Sequence, residues 1–136
     1  MTLVRVPTVS IATPRGEATV DVEVVTTPEA IAQGLMFRDS LPYDAGMLFV
    51  MPMDAVWAFY MRNTFIPLDM IYIANDWTVA GVVNNAEPCT EMRRSIYKPS
   101  SYVLEVNAGW ARDHQILPGA QARYRQPTTR SRRQPC

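Results

Sequence analysis

Between positions 18 and 25 (ATVDVEVV) apolar and polar residues alternate strictly, with Val20, Val22 and Val24 on one side and Asp21 and Glu23 on the other. A period of two over that length predicts a strand with one buried and one solvated face. The TTPEAIAQG that follows predicts a helix of about two turns. Thr27 can cap its first turn, Pro28 suits the opening position, Glu29 favours the positive end and Gly34 can close it. Two apolar runs, Gly46–Met51 and Val56–Met61, flank a proline-bearing turn and read as paired strands. The segment RNTFIP turns the chain into a strand over Leu68–Ile73, where Leu68, Met70 and Tyr72 share one face and Asp69, Ile71 and Ile73 the other. Asn75 and Asp76 suit a hairpin turn into Trp77–Val83. Asn84–Ser101 has no clear period and reads as a long loop. Tyr102–Val106 reads as a strand with Glu105 opposite Tyr102, Leu104 and Val106. Asn107 reads as the cap of a short helix running to His114, and Gln121–Tyr124 as the last strand. The pattern predicts a mainly β protein: a compact sandwich or barrel-like single domain of about seven strands with one or two short helices. Its expected organisation is an N-terminal arm over 1–17, one globular domain over 18–125 and an Arg-rich flexible tail over 126–136.

Charge narrows the range of partners. The chain is formally neutral, but five of its thirteen basic residues lie from Arg123 onward, leaving 8 basic against 13 acidic residues up to position 122. An acidic body is a poor grip for a phosphate backbone, so no specific nucleic acid is expected. No apolar run reaches the ~20 residues of a membrane span. The N-terminal MTLVRVPTVSIATPRG lacks the apolar core of a signal peptide, so the chain as written is expected to be cytoplasmic. Two cysteines, Cys89 and Cys136, make no disulfide framework.

The candidate chemistry lies where polar residues interrupt the apolar run from Gly34 to Ile73 and the strand around Glu105. Charges among apolar residues cost several kcal/mol unless they are paired or hydrogen-bonded, roughly speaking. Asp69 and Glu105 are the mid-strand carboxylates, and they are catalytic candidates only as a pair acting on a glycosidic bond or other small substrate. The alternative is a structural role, with Arg38 and Arg62 as their countercharges. Arg38, Arg62, Asn63, Thr64, Asp69 and Glu105 together form the candidate ligand-binding set, with Trp57 or Tyr60 as a stacking wall for a sugar or a carboxylated ligand. No metal or cofactor is expected. His114 is the single histidine and has no neighbouring ligand type, the methionines read as core filler, and no glycine-rich phosphate loop is present.

Five blocks carry a resemblance: GLMFR at 34–38, GMLFV at 46–50, MRNTFIPLDMIYI at 61–73, AEPCT at 86–90 and YVLEVNAG at 102–109. Together they resemble domain-of-unknown-function family 192, a small prokaryotic family, over roughly residues 18–125. The resemblance implies a mainly β, sandwich-like fold and no particular reaction. Many members resemble exported or membrane-anchored proteins, so export is the alternative to a cytoplasmic location. Some carry a second cysteine after the one matching Cys89, where this chain reads EMRRSIY. The leading expectation is a non-catalytic binding module for a small polar ligand, such as a sugar, or for another protein. The alternatives are a hydrolase or lyase of carbohydrate or cell-envelope chemistry, and a structural or assembly domain.

Overall fold

The computed structural model describes residues 6–127. The elements run β1 (Thr8–Thr13), β2 (Gly16–Val25), α1 (Pro28–Gln33), β3 (Ala45–Ala55), β4 (Leu68–Ile73), β5 (Val79–Ala86), β6 (Ser100–Asn107), α2 (Trp110–Asp113) and β7 (Ala122–Arg125). All seven strands join one sheet in the order β5-β4-β6-β3-β2-β1-β7. Every pairing is antiparallel except that of β2 with β3. The sheet curls into a half-barrel, and its two edges touch at one end. There Thr78 bridges Gln121, Val79 N–H donates to Ala120 C=O at 2.8 Å, and Ala122 N–H donates to Trp77 C=O at 2.8 Å.

The curl creates two cores. One lies inside it, where all seven strands contribute apolar side chains and α2 adds Trp110 and Ala111. The other lies on the opposite face of the central strands, where Met47, Phe49, Met70, Tyr72 and Val103 are covered by Leu35, Met61 and Ile66 from the connecting segments. β4 is sandwiched between the two, and all six of its residues are buried. Strand alternation sorts the faces as the sequence pattern predicts: Ile71, Ile73, Leu104 and Val106 face inward, while Met70, Tyr72 and Val103 face the cover. No helix among the described residues is long and apolar enough to cross a membrane.

Four local features differ from the pattern-based reading. Val56–Met61 is not a strand paired with β3; it is a covering segment tied down by a bridge between Phe59 and Arg94 and by the Met61 N–H donating to the Thr90 carbonyl at 2.9 Å. β3 instead runs on to Ala55, with an irregularity in its pairing to β6 after Val50. Asn107 does not cap α2: it ends β6, its amide donates to the carbonyls of Leu41 and Pro42, and Gly109 occupies the cap position. Within the stretch read as an N-terminal arm, Thr8–Thr13 form β1, which lies between β2 and β7. The tail beyond residue 127 lies outside the described residues.

Gly46 of β3 lies against the backbone of β6, opposite Val106. A Cβ there would stand 2.4 Å from the Glu105 carbonyl oxygen, a backbone atom that cannot step aside. Gly46→Ala is therefore expected to destabilise the fold by about 1–3 kcal/mol, the range for forced overpacking, as read by urea denaturation.

Candidate functional site

The register between β4 and β6 sets Met70 opposite Glu105 and Asp69 opposite Val106. Since successive side chains point to opposite faces, Asp69 turns into the curl with Ile71 while Glu105 turns to the covered face with Val103. The two carboxyls do not share a site, so the carboxylate pair considered from sequence has no common substrate position.

Asp69 is fully buried and its hydrogen bonds go to backbone. One oxygen accepts the Asn85 N–H at 2.8 Å; the other accepts the N–H groups of Gly109 and Ala111, each at 3.0 Å. Two residues earlier, Pro67 C=O accepts the Ala108 N–H at 3.0 Å. The PLD segment thus clamps the turn from β6 into α2. An open cavity of about 720 Å³ borders this clamp, lined by Asn84, Arg112 and Gln115 among others.

Glu105 is the opposite case. It is 4 % exposed, and Met47 of β3 and Met70 of β4 are its cross-strand neighbours. Among the described residues it has neither an ion-pair nor a hydrogen-bond partner. Burial pushes its carboxyl from an ordinary 4.5 up to about 8. It lines a cavity of about 280 Å³ together with Thr64, Phe49, Trp57, Phe59 and Arg93. The rings form an edge-to-face series, with Phe49 and Phe59 centroids 5.0 Å apart and Phe59 and Tyr72 6.1 Å apart.

Local sequence builds this cavity's wall. Thr27 accepts the Ala30 N–H, Pro28 opens α1, and Gly34 ends it at φ 50. A Cβ at Gly34 would stand 3.2 Å from the Phe49 ring, so glycine permits both the left-handed turn and the contact. The turn then drives Leu35 into the covered core, where it is 1 % exposed.

The other sequence candidates separate. Arg38 forms a two-pronged ion pair with Glu23, one prong being Nη2 to Oε1 at 2.8 Å. That hydrogen bond draws the Glu23 carboxyl below its usual range and lifts the guanidinium. Arg62 approaches Glu91 at 3.8 Å, with both side chains more than half exposed. Neither arginine pairs with Asp69 or Glu105, which corrects the countercharge reading. Asn63 adopts a left-handed φ of 53 in the turn, and its carbonyl accepts the Phe37 N–H at 2.8 Å. Thr64 is buried and lines the Glu105 cavity, while its hydroxyl donates to the Arg62 carbonyl at 3.1 Å. Of the six candidates, only Thr64 and Glu105 meet at one cavity. Trp57 and Tyr60, read as a stacking wall, do line it. Phe49, Phe59 and Arg93 were not singled out from sequence; the visible signal was an acid facing away from Leu104 and Val106, which demands an unusual cover. Cys89 is free, exposed and left-handed at φ 62.

Fold and site together define a small half-barrel domain in which a loop-built cover encloses a buried acid. The chain belongs to domain-of-unknown-function family 192, described as Uncharacterized ACR, whose model matches residues 10–124. Its fold is similar to that of a Sinorhizobium meliloti 1021 protein described as a candidate transcription regulator, with TM-score 0.83, 34% identity, and 90% of this chain and 97% of that chain covered. It is also similar to a protein of unknown function from Novosphingobium aromaticivorans DSM 12444, with TM-score 0.82, 34% identity, and 85% and 83% of the two chains covered. No curated protein matches the sequence.

Proposed function

We propose that this protein is a small-ligand binding module, without chemistry of its own, whose ligand occupies the cavity floored by Glu105. The observation that carries this reading is an acid 4 % exposed, unpartnered among the described residues, at the base of a preformed cavity of about 280 Å³. The carboxyl is buried and makes no hydrogen bond to the chain, and a bound polar group would supply one. Aromatic walls with a few polar groups, here Gln33, Tyr60, Thr64, Arg93 and Glu105, are the usual make-up of small-molecule sites, and at about 280 Å³ this cavity lies just below their range of about 300–1,000 Å³. The acidic body, 8 basic against 13 acidic residues up to position 122, favours ligand sensing over DNA contact for this domain, whatever the Sinorhizobium neighbour regulates.

Ala58 is exposed on the rim of the cavity, so Ala58→Trp can block the mouth without disturbing a core. In a ligand-detected NMR fragment screen, hits on the wild-type protein should weaken at least ~10-fold on Ala58→Trp, about 1.4 kcal/mol. A screen with no hits, or hits indifferent to the blocked mouth, would sink the reading.

A further inference from the structure

We infer that the polar group of this ligand is a protonated amine, seated on Glu105 with its apolar body against Phe49, Trp57 and Phe59. The inference rests on the binding reading above and specifies its chemistry.

The Glu105 carboxyl accepts no hydrogen bond from the side chains around it, although Gln33, Tyr60 and Arg93 also line the cavity. Three polar hydrogens on this face are committed elsewhere. The Thr64 hydroxyl donates to the Arg62 carbonyl at 3.1 Å, the Trp57 indole N–H to the Met53 carbonyl at 3.1 Å, and the Tyr72 hydroxyl to the Arg94 carbonyl at 2.8 Å. A ligand carboxylate would meet Glu105 as a like charge, and an alcohol would supply one hydrogen bond but no countercharge. An ammonium supplies N–H donors only and carries the missing positive charge, which makes its hydrogen bonds the stronger kind. The surrounding rings add attraction, since aromatic faces are electron-rich toward cations. Arg93, exposed at the mouth with its guanidinium 6.0 Å from the Tyr60 ring centre, sets a limit: a second positive charge on the ligand would be repelled there. The site therefore selects monoamines over diamines.

Protons add a signature. The titratable or charged groups around Glu105 are Tyr72 from β4, Tyr60 from the covering segment, and Arg93 and Arg94 from the segment after β5; β3 and α1 line the cavity with none. Burial holds the Tyr72 hydroxyl protonated far above neutrality, and the Glu105 charge reinforces this. With the Glu105 carboxyl at about 8, the free site is mostly protonated at pH 7, so an ammonium must displace one proton to bind. Amine affinity should then rise about tenfold per pH unit toward pH 8 and level off above it.

The test uses the whole chain and three probes of matched size: 2-phenylethylamine, 2-phenylethanol and phenylacetate. Binding is followed by the methionine methyl resonances of Met47 and Met70, with proton release measured by calorimetry in two buffers. The expected result is at least a tenfold preference for the amine at pH 8, close to one proton released at pH 7, and loss of the preference in Glu105→Gln. If the alcohol or the acid binds as well as the amine, or amine affinity is flat from pH 6 to 8, the amine assignment fails while the cavity remains a binding site. If none of the probes moves either methyl, the amine assignment fails, and the rim-blocked fragment screen then decides separately whether the cavity binds anything.

Discussion

Asp69→Ala is expected to lower the stability of the fold by about 3–5 kcal/mol, because it leaves buried backbone donors without their acceptor. The fully buried carboxylate accepts three backbone N–H groups, from Asn85, Gly109 and Ala111. Its loss strands three donors at once, each costing roughly 1–3 kcal/mol when left unpaired. The open cavity beside the clamp lets water reach part of this set, which keeps the total below the sum. For a domain of this size the corresponding fall in Tm is about 10–20 °C. Asp69→Asn keeps the shape and one acceptor oxygen, so it should fall between wild type and alanine. Urea denaturation followed by circular dichroism measures both. A loss below about 1 kcal/mol for alanine would mean that the β6–α2 turn holds itself without the clamp.

The two buried acids thus divide their labour by face. Asp69 spends its oxygens on the chain itself and leaves little for a ligand. Glu105 spends nothing on the chain, and none of the side chains that line its cavity, Thr64, Tyr60 and Arg93 included, makes a hydrogen bond or ion pair with it. The pair that looked equivalent in sequence consists of one structural acid and one candidate for recognition.

Alternation made much of the central sheet legible. Each of Val20, Val22, Leu104 and Val106 lies on the face that its parity assigns. The signals at Thr27, Pro28 and Gly34 fixed α1 because caps are local chemistry. The resemblance to domain-of-unknown-function family 192, drawn on five short blocks, also holds. Val56–Met61 misled because an apolar run reports burial, not hydrogen bonding; a cover packed on a sheet reads like a strand within it. The partners of Asp69 were invisible because backbone N–H groups carry no residue identity. The arginines were misassigned because Arg38 finds Glu23 only once β2 and the turn after α1 are brought together. Nor could a period of two reveal that β2 pairs in parallel with β3, since α1 and the turn after it intervene.

The stability of the wild-type protein, measured against Glu105→Gln, is expected to fall as pH rises from about 4.5 to about 8. Below that window the acid is protonated in both folded and unfolded chains and exerts no bias. Within it, the unfolded chain has released its proton while burial makes the folded chain keep one, so each step up in pH favours unfolding. Above about 8 the folded chain carries a buried charge and the loss is complete. The gap between 4.5 and about 8 corresponds to on the order of 4–5 kcal/mol, at 1.36 kcal/mol for each factor of ten in proton affinity. Glutamine mimics the neutral acid and should remove that slope. The other carboxylates with displaced titrations, Glu23 and Asp76, are lowered, so they act below about 4.5 with the opposite sign, and Tyr43, pushed up to about 12, acts far above the window. Urea midpoints for both proteins between pH 5 and 9 test this directly. Two parallel curves would mean that Glu105 reaches water in the folded protein, and the physical basis for a binding site at its carboxyl would go with it.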